Sequence, residues 1–298
     1  MAKAKTKALP AQSPVALMGS TQFEMTSKIS GRLFRIYLWR PPMDPPPEGY
    51  PVIVATDANL TFPIAATMAA ATMMQTPKRA LVVGVGYAAD DFMTPQLRRT
   101  RDLTPPTPLD SIPRNAGLPP AREEDYGGAE DFYRFIVEEL LPAVSAVHQI
   151  DPTDRTLFGH SLGGLFVLRT LFDHPDAFRN FVASSPSIWW NDRALLADEA
   201  AFSKQVRAKA IAPRVLITMG ALEQTPPKVP PMGLTKRQMS ALSRQARMVD
   251  NARELGARLG KLKGPKGSVF RYVEFADEDH MSVVAAALSR TIKFALSE

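Results

Sequence analysis

Apolar residues along the chain fall into two alternating kinds of segment. Short runs at 33–39, 51–56, 80–86, 155–158, 181–183, 214–219 and 269–275 have the length and apolar content of strands. Residues 80–86 (ALVVGVG) are apolar without a break, as a strand buried on both faces requires. Between these runs, the segments 63–74, 129–147, 162–172, 236–262 and 283–296 read as helices. In 129–147, Phe132, Phe135, Ile136, Leu140 and Val144 share one face. Segment 236–262 reads as one long basic amphipathic helix, with an apolar stripe from Met239 to Leu262.

Strand then helix, repeated, predicts βαβ crossovers. The expected class is α/β, with a mostly parallel central sheet and helices on both faces. Such sheets bind ligands beyond the carboxyl ends of their strands, so chemistry is sought in the loops that follow strands. One stretch interrupts the alternation. Residues 88–128 are long, polar and Pro-rich, and read as a lid-like loop over the site. The expected organisation is a flexible basic tail at 1–14 and a single domain at 15–298.

Composition narrows the classes. With 45% apolar and 22% charged residues the chain is neither disordered nor collagen-like. Cysteine is absent, which excludes disulfides, thiolate metal sites, iron–sulfur clusters and a cysteine nucleophile. A net charge of +6 raises nucleic-acid binding, but the basic residues are spread along the chain and 236–262 reads as a solvated face. Neither a nucleic-acid nor a membrane partner is expected; an anionic small substrate fits the charge. No run reaches the ~18 apolar residues of a spanning helix. Lys3, Lys5 and Lys7 are followed by no apolar signal core, so the expected location is cytoplasmic.

The sharpest motif is Gly159-His160-Ser161-Leu162-Gly163-Gly164, between a short apolar strand and an apolar helix. It matches G-x-S-x-G, the nucleophile elbow, in which a strained turn presents the serine and bulky neighbours would collide. Serine needs an adjacent base, and the chain order Ser, acid, His sends the search downstream. Of four histidines, only His174 and His280 follow Ser161. His174 ends the helix after the elbow, whereas His280 follows the last strand on the ligand side, so His280 is the expected base. Glu223, just after strand 214–219, is the expected acid, with Asp192 and Asp277 to Asp279 as rivals. For the oxyanion, one donor is the Leu162 backbone N–H; the second comes from Ala58 or Asn59, after strand 51–56.

These residues and a further set of segments carry a resemblance. The segments are TDANLTFP (56–63), VVGVGY (82–87), RRTRDLTP (98–105), GGAEDFYRFI (127–136), FGHSLGGLF (158–166), SSPSIWW (184–190), GALEQ (220–224) and DHMSV (279–283). Together they resemble the esterase D-like branch of the α/β-hydrolases, and within it the siderophore esterases that open ferric enterobactin, salmochelin or bacillibactin. The resemblance implies an α/β-hydrolase fold and ester hydrolysis by Ser161, His280 and Glu223, with no cofactor and no metal. Ala58 stands where such proteins commonly have glycine, and Ala221 where they commonly have an acidic residue. Trp189 and Trp190 could stack on an aromatic acyl or catechol group or pack their loop. Arg98, Arg99 and Arg101 could attract an anionic substrate such as a ferric tris-catecholate, with Arg98 and Arg101 as the expected contacts. Arg101 could equally pair with Asp102 and brace the loop. The rival readings are a feruloyl, other aromatic or short-chain acyl esterase, an acyltransferase, or a catalytically silent binding protein.

Overall fold

In the computed structural model, which describes residues 13–89, 91, 93–111, 122–226 and 235–297, the apolar runs form strands of one eight-stranded sheet. The strands are β1 (Ser20–Thr26), β2 (Leu33–Trp39), β3 (Tyr50–Thr56), β4 (Leu81–Tyr87), β5 (Ile150–His160), β6 (Asn180–Ser184), β7 (Arg214–Gly220) and β8 (Val269–Phe275). Their order is β1-β2-β4-β3-β5-β6-β7-β8. The pairs β1/β2 and β2/β4 are antiparallel, and the rest of the sheet is parallel.

The helices are α1 (Ala58–Thr72), α2 (Met93–Leu103), α3 (Ala129–Arg134), α4 (Leu141–Ser145), α5 (Leu162–Asp173), α6 (Trp190–Arg193), α7 (Glu199–Arg207), α8 (Lys236–Ala246), α9 (Met248–Leu259) and α10 (Val283–Leu296). A π-helical stretch, Phe135–Leu140, joins α3 to α4. Strand side chains alternate between two cores, as the period of two dictates. Val52, Val54, Leu157, Phe181 and Val215 face the core filled by α3, α4, α5, α7 and α9. Ile53, Ala55, Phe158, Val182 and Leu216 face the core filled by α1 and α10. This is the α/β-hydrolase architecture, with helices on both faces.

Four expectations need correction. Segment 88–128 is not all loop: it contains α2, a mostly polar helix whose buried residues are Pro95, Asp102 and Leu103. Electrostatics docks it, through Arg32–Asp102 at 2.8 Å and Arg99–Asp57 at 2.7 Å. The expected helix 236–262 is two helices, because Arg247 adopts φ 45, ψ 43 between α8 and α9. The helix after β3 starts at Ala58 and carries Pro63 within it. Strand β5 runs to eleven residues, well beyond the short strand expected. Residues 1–12 of the expected tail and 112–121 of the expected lid lie outside the described residues.

The chain passes from β3 outward to β4 and then returns to β5 on the other side of β3. Adjacent parallel strands whose connections leave in opposite directions open a crevice at their carboxyl ends. The turns after β3 and β5 meet there.

Candidate active site

The turn after β5 is sharp. Ser161 sits at φ 61, ψ −117, a backbone region costly for a residue with a side chain. Its N–H donates to the Ser184 carbonyl at 2.9 Å, and its carbonyl accepts from Leu165 and Ser187, so the surroundings fix the strained turn. Two glycines make room. A Cβ at Gly159 would lie 2.2 Å from the Gly163 carbonyl oxygen, and one at Gly163 would lie 2.6 Å from Thr56 Oγ1. Strand and helix therefore cross at backbone contact, and the hydroxyl projects from the apex.

Ser161 Oγ stands 3.1 Å from His280 Nε2. The opposite ring nitrogen, Nδ1, is 2.6 Å from Glu223 Oε2. Glu223 is held by the β7 turn: Oε1 accepts from the Gly220 N–H at 2.7 Å and from the Ser185 hydroxyl. The Glu223 side chain is 0% exposed, whereas that of His280 is 40% exposed. The acid is thus sealed in the protein while the ring meets solvent and an incoming substrate. Loops after β7 and β8 are stitched by Ala221 N–H to Phe275 O and Leu222 N–H to Glu278 O.

The rival acids are engaged elsewhere or exposed. Asp279 accepts from the N–H groups of Ser282 and, to a lesser degree, Met281, which hold its carboxyl below the usual range. Asp192 and Asp277 are exposed. His174 caps the end of α5, contacts Glu130 at 3.0 Å and stacks on Tyr133.

Leu162 and Ala58 are the first residues of α5 and α1, and N–H groups in a first helical turn have no partner within their helix. The two helix starts adjoin, since Gly163 lies against Thr56 and Asp57. Asn59 reaches the end of β4. Its side-chain amide bridges both backbone groups of Tyr87, accepting at 2.8 Å and donating at 3.0 Å. What this turn can offer an oxyanion is therefore a backbone N–H, of Ala58 or Asn59.

Two groups near the site make contacts that the sequence reading did not anticipate. Arg99 binds Asp57 with two nitrogens, at 2.7 and 2.8 Å, and donates to the His160 carbonyl at 3.2 Å. It ties the turn after β3 to the residue before Ser161. Its motif was visible, but the partner 42 residues away was not. His160 is buried with its ring 4.6 Å from that of His280. Burial, followed by the charges of His280 and Arg99, pushes its pKa well down, so it stays neutral.

A family model described as "Putative esterase" matches residues 27–256. The chain belongs to this esterase family. It is similar to the ferri-bacillibactin esterase BesA of Bacillus subtilis (strain 168), with 38% identity over 281 residues, 91% of this chain and 88% of that one. Among solved structures, the BES protein from Bacillus cereus superposes with a TM-score of 0.81 at 31% identity, covering 97% of this chain and 100% of that one. Siderophore hydrolase EstA from Aspergillus nidulans superposes with a TM-score of 0.79 at 31% identity, covering 95% and 97%.

In this esterase the four expected substrate contacts have distinct placements. Trp190 is buried, donates from Nε1 to Thr107 Oγ1 at 2.9 Å and packs on Tyr126, so it braces the loop. Trp189 is half-buried beside it. Arg98 donates to the Leu33 carbonyl at 2.6 Å and lies over the Tyr87 ring. Arg101 donates to the carbonyls of Glu124 and Tyr126, which corrects the expected pairing with Asp102; Asp102 pairs with Arg32 instead.

Proposed function

We propose that the protein hydrolyses the ester bonds of ferric siderophores through an acyl-enzyme on Ser161. The observation that carries this is the unbroken series Ser161 Oγ, His280, Glu223, with contacts of 3.1 and 2.6 Å. In it, Glu223 accepts a hydrogen bond from Nδ1–H, which leaves Nε2 free to take the hydroxyl proton and stabilises the imidazolium that forms. Oγ then bonds to the ester carbonyl carbon, and the carbonyl oxygen becomes an oxyanion facing the N–H groups of Leu162 and the turn at Ala58 and Asn59. As the carbon–oxygen bond to the leaving alcohol breaks, His280 returns the proton to that alcohol. Water repeats the sequence against the acyl-enzyme and frees Ser161. Arg99 acts on this chemistry by fixing the two strand ends that carry the oxyanion donors.

A ferric tris-catecholate is anionic, and the chain carries a net charge of +6. Trp189 is the half-buried aromatic surface available to a catechol ring, while Arg98 and Arg101 add positive charge to the covering segment. The relatives named above for siderophores support the same substrate class. Among the described residues no helix is long and apolar enough to cross a membrane. We assign the reaction to the cytoplasm, which suits release of iron from an imported chelate.

The test is a hydrolysis panel of ferric enterobactin, ferric bacillibactin, feruloyl esters and short acyl esters, run with wild type and Ser161→Ala. The siderophore esters are expected to give the highest kcat/KM. Ser161→Ala should lower kcat about 10³-fold or more and abolish labelling by a fluorophosphonate. Preference for a feruloyl ester would reassign the substrate, and wild-type rates in the variant would remove the nucleophile.

A further inference from the structure

The end of β6 and the loop after it carry three buried serines, Ser184, Ser185 and Ser187, and each turns its hydroxyl to a different part of the site. Ser184 Oγ meets His160 Nδ1 at 3.1 Å, and Ser187 Oγ lies 3.5 Å from Ser161 Oγ. Ser185 Oγ donates to Glu223 Oε1 at 2.5 Å. Only this last contact is to a formal charge.

We infer that Ser185 is a positioning residue for the reaction, a fourth group in the series Ser161, His280, Glu223, Ser185. This rests on the reading of the first three as the catalytic set. Glu223 is fully buried, so its charge must be met by hydrogen bonds. Oε2 serves His280, which leaves Oε1 to anchor the group. Carboxylate rotation about the last side-chain torsion is soft, because sp³–sp² torsions have broad minima. With two donors on Oε1, the Gly220 N–H and the Ser185 hydroxyl, that rotation is fixed and Oε2 stays directed at Nδ1. With Gly220 alone, Oε2 can swing off the ring.

The backbone bears the same stamp. Ser185 adopts φ 45, in the left-handed region, and its N–H is pinned to the Thr218 carbonyl of β7 at 2.7 Å. A strained conformation in a fully buried serine persists only where the surroundings enforce it, and such strain gathers at functional sites. Here it aims the hydroxyl at the acid that orients the base.

The experiment is a double-mutant cycle of Ser185→Ala and Glu223→Ala, with Ser185→Gly as a second variant. Glycine takes φ 45 without strain, so it removes the hydroxyl and keeps the turn. Readouts are kcat and KM on p-nitrophenyl acetate and the rate of fluorophosphonate labelling. Each Ser185 variant should lower kcat roughly 10-fold or more, the size of a hydrogen bond to a charged group, with KM within about twofold. In the Glu223→Ala background, Ser185→Ala should add less than about a twofold further loss, because there is no carboxylate left to hold. If both Ser185 variants keep wild-type kcat while Glu223→Ala is impaired, the inference falls and the catalytic set stands. If Ser185→Ala costs the same factor in both backgrounds, its role is structural only. Wild-type kcat in Glu223→Ala would overturn the catalytic reading itself, and the inference with it.

Discussion

Glu223→Gln is the most informative single change, because the structure dictates how the amide must sit. Glutamine keeps the size of glutamate but offers one acceptor oxygen and one donor NH₂. The Oε1 position accepts from Gly220 N–H and Ser185 Oγ. An NH₂ there would face the Gly220 N–H donor head-on, 2.7 Å away, so the amide oxygen takes that place. The NH₂ then faces His280 Nδ1, across the 2.6 Å gap now filled by Oε2. A donor there forces Nδ1 to accept, so the ring proton moves to Nε2, the atom that must receive the Ser161 proton. The fold is unchanged and the base is held in its wrong tautomer. Comparable substitutions in serine hydrolases cost about 10⁴ in kcat, or about 5 kcal/mol of transition-state stabilisation. We expect a loss of 10³- to 10⁴-fold here, with KM little changed and the melting temperature near wild type. Steady-state hydrolysis of p-nitrophenyl acetate and the rate of fluorophosphonate labelling should fall together. A kcat within about tenfold of wild type would refute the tautomer argument and the assignment of Glu223 with it.

Three further predictions follow from contacts described above. Gly163→Ala places a methyl 2.6 Å from Thr56 Oγ1; it should cost about 1–3 kcal/mol in urea unfolding and suppress labelling of Ser161, and an unchanged midpoint would contradict the packing argument. Trp190→Phe keeps one aromatic ring but loses the rest of the buried indole and its bond to Thr107, so a loss of about 1–3 kcal/mol is expected with kcat within a few-fold, and a large change in kcat would assign Trp190 to the substrate instead. Burial pushes the Asp102 carboxyl up to about 6 from 3.8, against the pull of Arg32. Between those pH values the folded protein holds a proton that the unfolded chain has lost, so this contribution to stability falls as pH rises from about 4 to 6. Relative to Asp102→Asn, wild type should lose on the order of 3 kcal/mol across that window in unfolding experiments, and parallel pH slopes would disprove it.

The legible parts of the fold were those whose burial is apolar and continuous. Strands β3, β4 and β7 are buried along their whole length, so the hydrophobic pattern announced them. Strand β1 (STQFEMT) lies at the sheet edge with most residues exposed, and it carries no such pattern. Helix α2 was hidden for a related reason: ion pairs to Arg32 and Asp57 dock it in place of an apolar stripe. The break at Arg247 was invisible because the apolar stripe continues on both sides of it. In the site, Ser161, His280 and Glu223 were found from motif and chain order, since each follows a strand. Ser185, Arg99 and His160 act through partners distant in sequence, and residue spacing holds no trace of those contacts.

The proposed general base, His280, hangs from the margin of the molecule. Among the described residues, strand β8 pairs only with β7; it has no fully buried residue and ends at the Gly220–Phe275 rung just before the turn that presents His280. A marginal strand opens at a lower free-energy cost than the central ones. Fraying of that rim would uncouple the imidazole from Ser161 while the seven inner and opposite strands remain intact. Heat or denaturant should therefore silence hydrolysis before the bulk of the sheet melts, making activity a more sensitive gauge of this periphery than any global spectroscopic signal.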